Sequence, residues 1–238
     1  MTSCRHEFTA AETADLLDEL DARLRRRGVA ASIFVVGGAA IAANHKRRDR
    51  VTEDVDALTR DTAVLEEAQA LARERGLPED WLNPNAGMWM PPLPGGVLDQ
   101  PAEPGLRVTY ADDGFLLATK LIAQRAKDAD DVVALAGSLG LSTATPEQLE
   151  AHIRSYYTDP APLEFIVDGP DVDREITLLA HDASRMLHRA GLAAADDIDP
   201  TQPGEDPATE RPRRSIESQK RTPRSPRDTP GRSPTRER

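Results

Sequence analysis

The stretch VVGGAAIAANHKRRDRVTEDVDAL, residues 35–58, decides how this chain folds. The β-branched and aromatic run SIFVV stops at Gly37 and Gly38, which marks a buried strand ending in a tight turn. The small apolar residues Gly38 to Ala43 then open a helix. VTEDVDAL alternates apolar and polar positions and reads as a second strand. Strand side chains alternate with a period of two, so Thr52, Asp54 and Asp56 are expected on one face. The pattern is strand, glycine turn, helix, acidic strand.

Outward from this block, residues 9–27 read as an amphipathic helix. Thr9 and Glu12 have capping-box spacing, Leu16, Leu17, Leu20 and Leu24 form one stripe, and Gly28 ends it. Residues 60–75 return to helix up to Gly76. The Pro/Gly-rich segment 77–105 is expected to hold a short helix at Pro78 to Leu82 and then an ordered loop. Its Trp81, Trp89 and nearby methionines are read as packing residues. LRVTYA, 106–111, is a third strand. From residue 112 the pattern is helical: DDGFLLATKLIAQRA, DADDVVALAGSLG, TPEQLEAHIRSYY and VDREITLLAHDASRMLHRAG. His152, His181 and His188 have no metal-like spacing.

The expected class is therefore α+β, in three parts: an α/β core over 1–111, a helical bundle over 112–195 and a tail over 196–238. The tail is basic, with ten Lys/Arg against three Asp/Glu over 211–238. Against a net charge of -11 for the 238 residues, this leaves -18 for residues 1–210. Such an acidic body argues against a broad polyanion-binding surface and confines any such site to a local patch. The single cysteine, Cys4, excludes an internal disulfide. No apolar run reaches the ~18 residues of a membrane span, and the first residues lack the apolar centre of a signal peptide. The expected location is the cytoplasm, with no membrane partner.

Two carboxylates on one strand face lie about 7 Å apart at Cα, given a rise of ~3.3 Å per residue. Their oxygens can converge on a hard cation. Mg2+ takes oxygen ligands and is usually held by one or two carboxylates together with substrate phosphates. Gly37 and Gly38 let backbone approach an anion, and the helix that follows offers free N–H groups and a favourable dipole. A nucleoside triphosphate thus fits between a glycine turn and a metal.

GGAAIAA followed by RVTEDVDAL resembles the active-site signature of polymerase-β-like nucleotidyltransferases. The closer likeness is to the Gly-Gly, Arg-x-Thr-x-Asp-x-Asp form of the AbiEii and MenT type toxins. FLLATKLIAQRAKDADDVVAL, 115–135, resembles the second block of that group, a helical lysine followed by an Arg/Lys-Asp-x-x-Asp segment. The likeness covers about residues 30–140. It implies a nucleotidyltransferase-like mixed sheet with flanking helices and an Mg2+-dependent enzyme. Asp54 and Asp56 would be metal ligands and catalytic residues, and Gly37, Gly38, Arg50 and Thr52 would bind nucleotide. Lys120 would contact phosphate, Asp128 would orient or deprotonate the acceptor, and Asp131 matches the last acid of the block. A serine often follows the first glycine in these enzymes, whereas this chain has Gly38. LRVTYA carries no counterpart of the third strand carboxylate found in many polymerase-like sites.

The implied activity is that of a toxin of a bacterial toxin–antitoxin system, transferring nucleotides to the 3′ end of tRNA and blocking translation, with a cognate antitoxin as partner. Two alternatives stand beside it: an aminoglycoside- or lincosamide-like antibiotic nucleotidyltransferase, and a degenerate member that only binds nucleotide or protein. The run from His45 to Arg50 is either a solvated loop or a contact to phosphate. Residues 201–238, rich in Arg, Ser and Pro, lack the apolar side chains needed to repay ordering and are expected to be disordered. Deleting 201–238 should leave the melting temperature unchanged by calorimetry. A drop of several degrees would mean that this segment docks on the body.

Overall fold

The computed structural model describes residues 6–45, 51–167 and 169–196. Cys4, Arg50 and nearly all of the expected tail lie outside them. The described chain is α+β, a mixed sheet with flanking helices. In order it runs β1 (Phe8–Thr9), α1 (Ala10–Arg27), β2 (Ala30–Val35), α2 (Gly37–Asn44), β3 (Val51–Thr52), β4 (Val55–Thr59), α3 (Thr62–Arg75) and β5 (Leu82–Asn83). A 3-10 segment (Asn85–Trp89), β6 (Gly105–Tyr110), α4 (Asp113–Ala123), a 3-10 turn (Ala126–Asp128) and α5 (Ala129–Ser138) follow. The last helices are α6 (Pro146–Tyr156), α7 (Pro160–Ile166) and α8 (Val172–Asp196).

Local chemistry explains the long elements. The Thr9 hydroxyl accepts from the Glu12 N–H at 3.2 Å and the Glu12 carboxylate accepts from the Thr9 N–H at 2.8 Å, closing the capping box of α1. Gly28, at φ 67°, ends that helix. Leu16, Leu17, Leu20 and Leu24 are all buried. A second capping box, Thr145 with Gln148, starts α6. β2 is buried along almost its whole length because it sits in the middle of the sheet, whose order is β5-β4-β2-β6. It pairs antiparallel with β4 and parallel with β6, and β4 pairs parallel with β5.

One apolar cluster runs from Phe8 to Leu187 and joins sheet and helices. Within it α4 is buried on nearly every side: Phe115 meets Phe34 of β2 edge-on at 5.3 Å and Tyr156 of α6 at 6.1 Å. Among the described residues, no helix is long and apolar enough to cross a membrane.

Three local expectations are corrected. VTEDVDAL is not one strand, because the chain bends at Glu53 and Asp54. The Thr52 hydroxyl donates to the Asp54 carbonyl at 2.9 Å, and the two halves pair with different partners, β3 with β1 and β4 with β2. Asp54 therefore belongs to a bend, and period-two alternation does not set its direction. Pro78 to Leu82 is not a helix. Its backbone is taken by pairing with β4, where the Val55 N–H donates to the Trp81 carbonyl at 2.6 Å. The helix α7 is additional; its prolines, Pro160 and Pro162, fall in the first turn, where a missing N–H goes unneeded.

Trp81 is fully buried, and its indole N–H donates to the Ala68 carbonyl of α3 at 2.9 Å. By contrast Met88 is 77% and Trp89 44% exposed, so the expected packing role holds for the first tryptophan and not for those two. Trp81→Phe removes the indole hydrogen bond to α3 and opens a void, and should lower stability by about 1–3 kcal/mol in urea denaturation.

Candidate active site

The register of the sheet assembles the site. Val35 faces Ala57 across β2 and β4, and one step further the Val36 N–H donates to the Asp56 carbonyl at 2.9 Å. The glycine turn thereby lies against the acidic strand. Gly37 has φ 63°, and a Cβ built on it would stand 2.9 Å from Asp56 Oδ2. Both the left-handed backbone and the close approach require glycine there. α2 begins at this point, and its N-cap, Val36, has no side chain to cap the first N–H groups. These donors are free to meet an anion beside Asp56.

The Asp56 carboxyl is pushed up from its ordinary value of 3.8 to about 6. Burial is the main cause and the charge of Asp54 the second; Arg125, then Lys120 and Lys127, act in the opposite direction. Asp54 is half-buried, and its Oδ2 accepts from the Asn83 side-chain amide at 3.0 Å. Two carboxylates thus sit close enough to repel. Among the described residues, no group of three or more His, Cys, Asp or Glu side chains gathers as a metal nest. Asp54 and Asp56 suit a hard cation whose other ligands are water and phosphate oxygens, because such an ion relieves both their repulsion and the poor solvation of Asp56.

The second block comes together at the C-terminal end of α4. Lys120 is buried, with its ammonium 2.9 Å from Asp128 Oδ1 and 2.8 Å from Asp131 Oδ2. Two carboxylates thus take up two of its three donors. Gln124, in the left-handed region at φ 40°, ends α4 and lets the chain turn back so that Asp128 and Asp131 reach the lysine. Removing one member of such a buried group costs about 3–5 kcal/mol, because the others are left uncompensated. Lys120 therefore holds the fold together as well as carrying charge toward Asp56.

The other expected residues divide. The Thr52 hydroxyl is spent on the Asp54 carbonyl and shapes the bend. His45, at the head of the basic run, lies 3.0 Å from Asp113 Oδ1, and Arg50 lies outside the described residues. His152 donates to the Gly114 carbonyl at 3.0 Å. Arg125 and Lys127 are exposed and bring positive charge to Asp56. Both stand inside the Arg/Lys-Asp segment, and their spacing from Lys120 was the available signal. β6 carries no acid and is separated from β4 by β2; the strand beside β4 is β5, where Asn83 is the register partner of Asp56. No protein-family model, curated protein or solved structure matches this chain.

The raised Asp56 value has a sign that melting experiments can read. Folding holds the proton on Asp56 more tightly than the unfolded chain does. Its contribution to stability is therefore fully present below about pH 4 and lost as pH rises through about 6. Asp56→Asn, which cannot ionise, should match wild type at low pH and be more stable by about 1–3 kcal/mol above pH 7. Denaturant melts from pH 4 to 8 measure this; a constant gap across that range would contradict it.

Proposed function

We propose that this chain is a Mg2+-dependent nucleotidyltransferase with a nucleotidyltransferase-like fold, acting as a bacterial toxin that adds nucleotides to the 3′ end of tRNA. The observation that carries the proposal is the packing of the Gly37 turn against Asp56, with Asp54 beside it and the positive charges of Lys120, Arg125 and Lys127 facing the pair. A carboxylate pair without a direct ion pair, a helix N-terminus without a side-chain cap and nearby cationic side chains suit a site that holds polyphosphate through both metal and donors.

In this reading Asp54 and Asp56 would hold Mg2+, which supplies charge stabilisation at the α-phosphoryl group and the departing pyrophosphate. The first N–H groups of α2 bind phosphate oxygens. Lys120, with two donors committed to Asp128 and Asp131, keeps one for phosphate. Arg125 and Lys127 supply exposed charge for the triphosphate or for the backbone of an RNA acceptor. Asp128, held in place by its ion pair, orients the acceptor hydroxyl or takes its proton as oxygen attacks phosphorus.

Purified protein incubated with Mg2+, each labelled nucleoside triphosphate in turn and total tRNA should label the tRNA. Asp54→Asn and Asp56→Asn should each lower labelling by about 100-fold or more while keeping a cooperative melt, since the amide preserves shape and removes the charge that binds the ion. Either variant turning over like wild type would sink the assignment. Labelling of an added aminoglycoside or lincosamide in place of tRNA would move the acceptor to the antibiotic class.

A further inference from the structure

We propose that Asn83 is a positioning residue of this site, setting the Asp54 carboxylate for metal binding; the inference rests on the nucleotidyltransferase reading. Asp54 lies in a bend, so no strand ladder directs its side chain, and the Thr52 hydroxyl fixes only its carbonyl. The carboxylate itself is engaged by Asn83, whose Nδ2 donates to Asp54 Oδ2 at 3.0 Å. Asn83 is only 5% exposed, and its other end is also in use: Oδ1 accepts from the Asn85 N–H at 3.0 Å. One carboxamide therefore joins Asp54 to the start of the 3-10 segment.

Its place in the sheet makes this more than a loop contact. β4 and β5 run parallel with Asp56 and Asn83 as register partners, so the two side chains share a face. Asn83 thus stands level with one carboxylate and bonds the other. Its amide occupies Oδ2 of Asp54, leaving Oδ1 to a cation, and it does so without charge. A leucine here would leave Asp54 undirected, and an aspartate would set a third negative charge against a pair that already repels. Partners that orient metal ligands from behind commonly contribute 10–100-fold in metal affinity or activity.

The test compares Asn83→Leu and Asn83→Asp with wild type in the full chain. Mg2+ alone is titrated by calorimetry and by the Mg2+-induced rise in melting temperature, and kcat and nucleotide KM are measured separately. Asn83→Leu should require at least ten times more Mg2+ and lose kcat by 10–100-fold, with nucleotide KM at saturating Mg2+ changed by less than about threefold. Asn83→Asp should melt lower without metal and bind Mg2+ more tightly than wild type, since it adds a carboxylate. A residue that merely supported the fold would lower both melts and move neither Mg2+ affinity. Wild-type Mg2+ affinity in both variants overturns the inference and leaves the nucleotidyltransferase reading standing. If Asn83→Leu does not fold, Asn83→Asp alone decides, and unchanged Mg2+ affinity there overturns the inference. A wild-type chain that neither binds Mg2+ nor transfers nucleotide overturns both.

Discussion

The hydrogen bond from the Val36 N–H to the Asp56 carbonyl, 2.9 Å long, ties the end of β2 to β4 at the residue where the glycine turn begins. With it in place, Gly37 has to pass over the Asp56 side chain, and only a residue without a Cβ and tolerant of φ 63° can do so. The first turn of α2 then opens beside a carboxylate. On the far side of β4 the same ladder brings β5, and with it Asn83 and the 3-10 segment. On the far side of β2 it brings β6, whose end leads into α4 and Lys120.

Electrostatics set the character of the site built on that frame. Asp56 is poorly solvated and lies within the field of the Asp54 charge, and burial first, then that charge, pushes its carboxyl up to about 6. The nearest cationic side chains act through space. Lys120, by contrast, is committed to Asp128 and Asp131 at ion-pair distance. One cluster therefore has its acids paired directly with a buried ammonium, whereas the Asp54 and Asp56 pair has no such ion pair among the described residues. The ion-paired cluster anchors α4 to α5, and in the proposed reading the Asp54 and Asp56 pair is the one a cation would relieve. The Asp56 carboxylate is a place where the fold gives up stability when the group is ionised.

The two sides of the candidate site also differ in exposure. The inner side, with Gly37, Asp54 and Asp56, is half-buried and set by backbone; Arg125 and Lys127 stand exposed on the turn before α5. An acidic body carrying a small exposed cationic group suits a polyanion that is gripped locally, at one end, and repelled elsewhere. In the proposed reaction that geometry favours the terminus of an RNA over its length.

Short-range chemistry explains which parts of this molecule its sequence determined. The capping box at Thr9, the leucine stripe of α1, the β-branched run of β2 and the glycine stops each depend on residues within a few positions of one another, and each is found where its pattern placed it. The candidate site was legible to the extent that the glycine turn and the Asp54 and Asp56 pair stand out in the pattern, while Lys120 and Asp128 were named through the family resemblance of their block. Tertiary structure decided the rest. The bend at Asp54 arises because Val51–Thr52 and Val55–Thr59 answer to different partners, β1 and β2, a competition invisible in an alternating pattern. Asn83 gained its place from parallel pairing with β4, which takes Leu82 into a strand at the end of the expected helix. The commitment of Lys120 to two carboxylates required α4 to reverse at Gln124. A single sequence encodes propensities within a turn or two of chain, whereas strand partners, ion-pair partners and the burial that raises Asp56 are settled only when segments distant along the chain compete for the same backbone donors and the same volume.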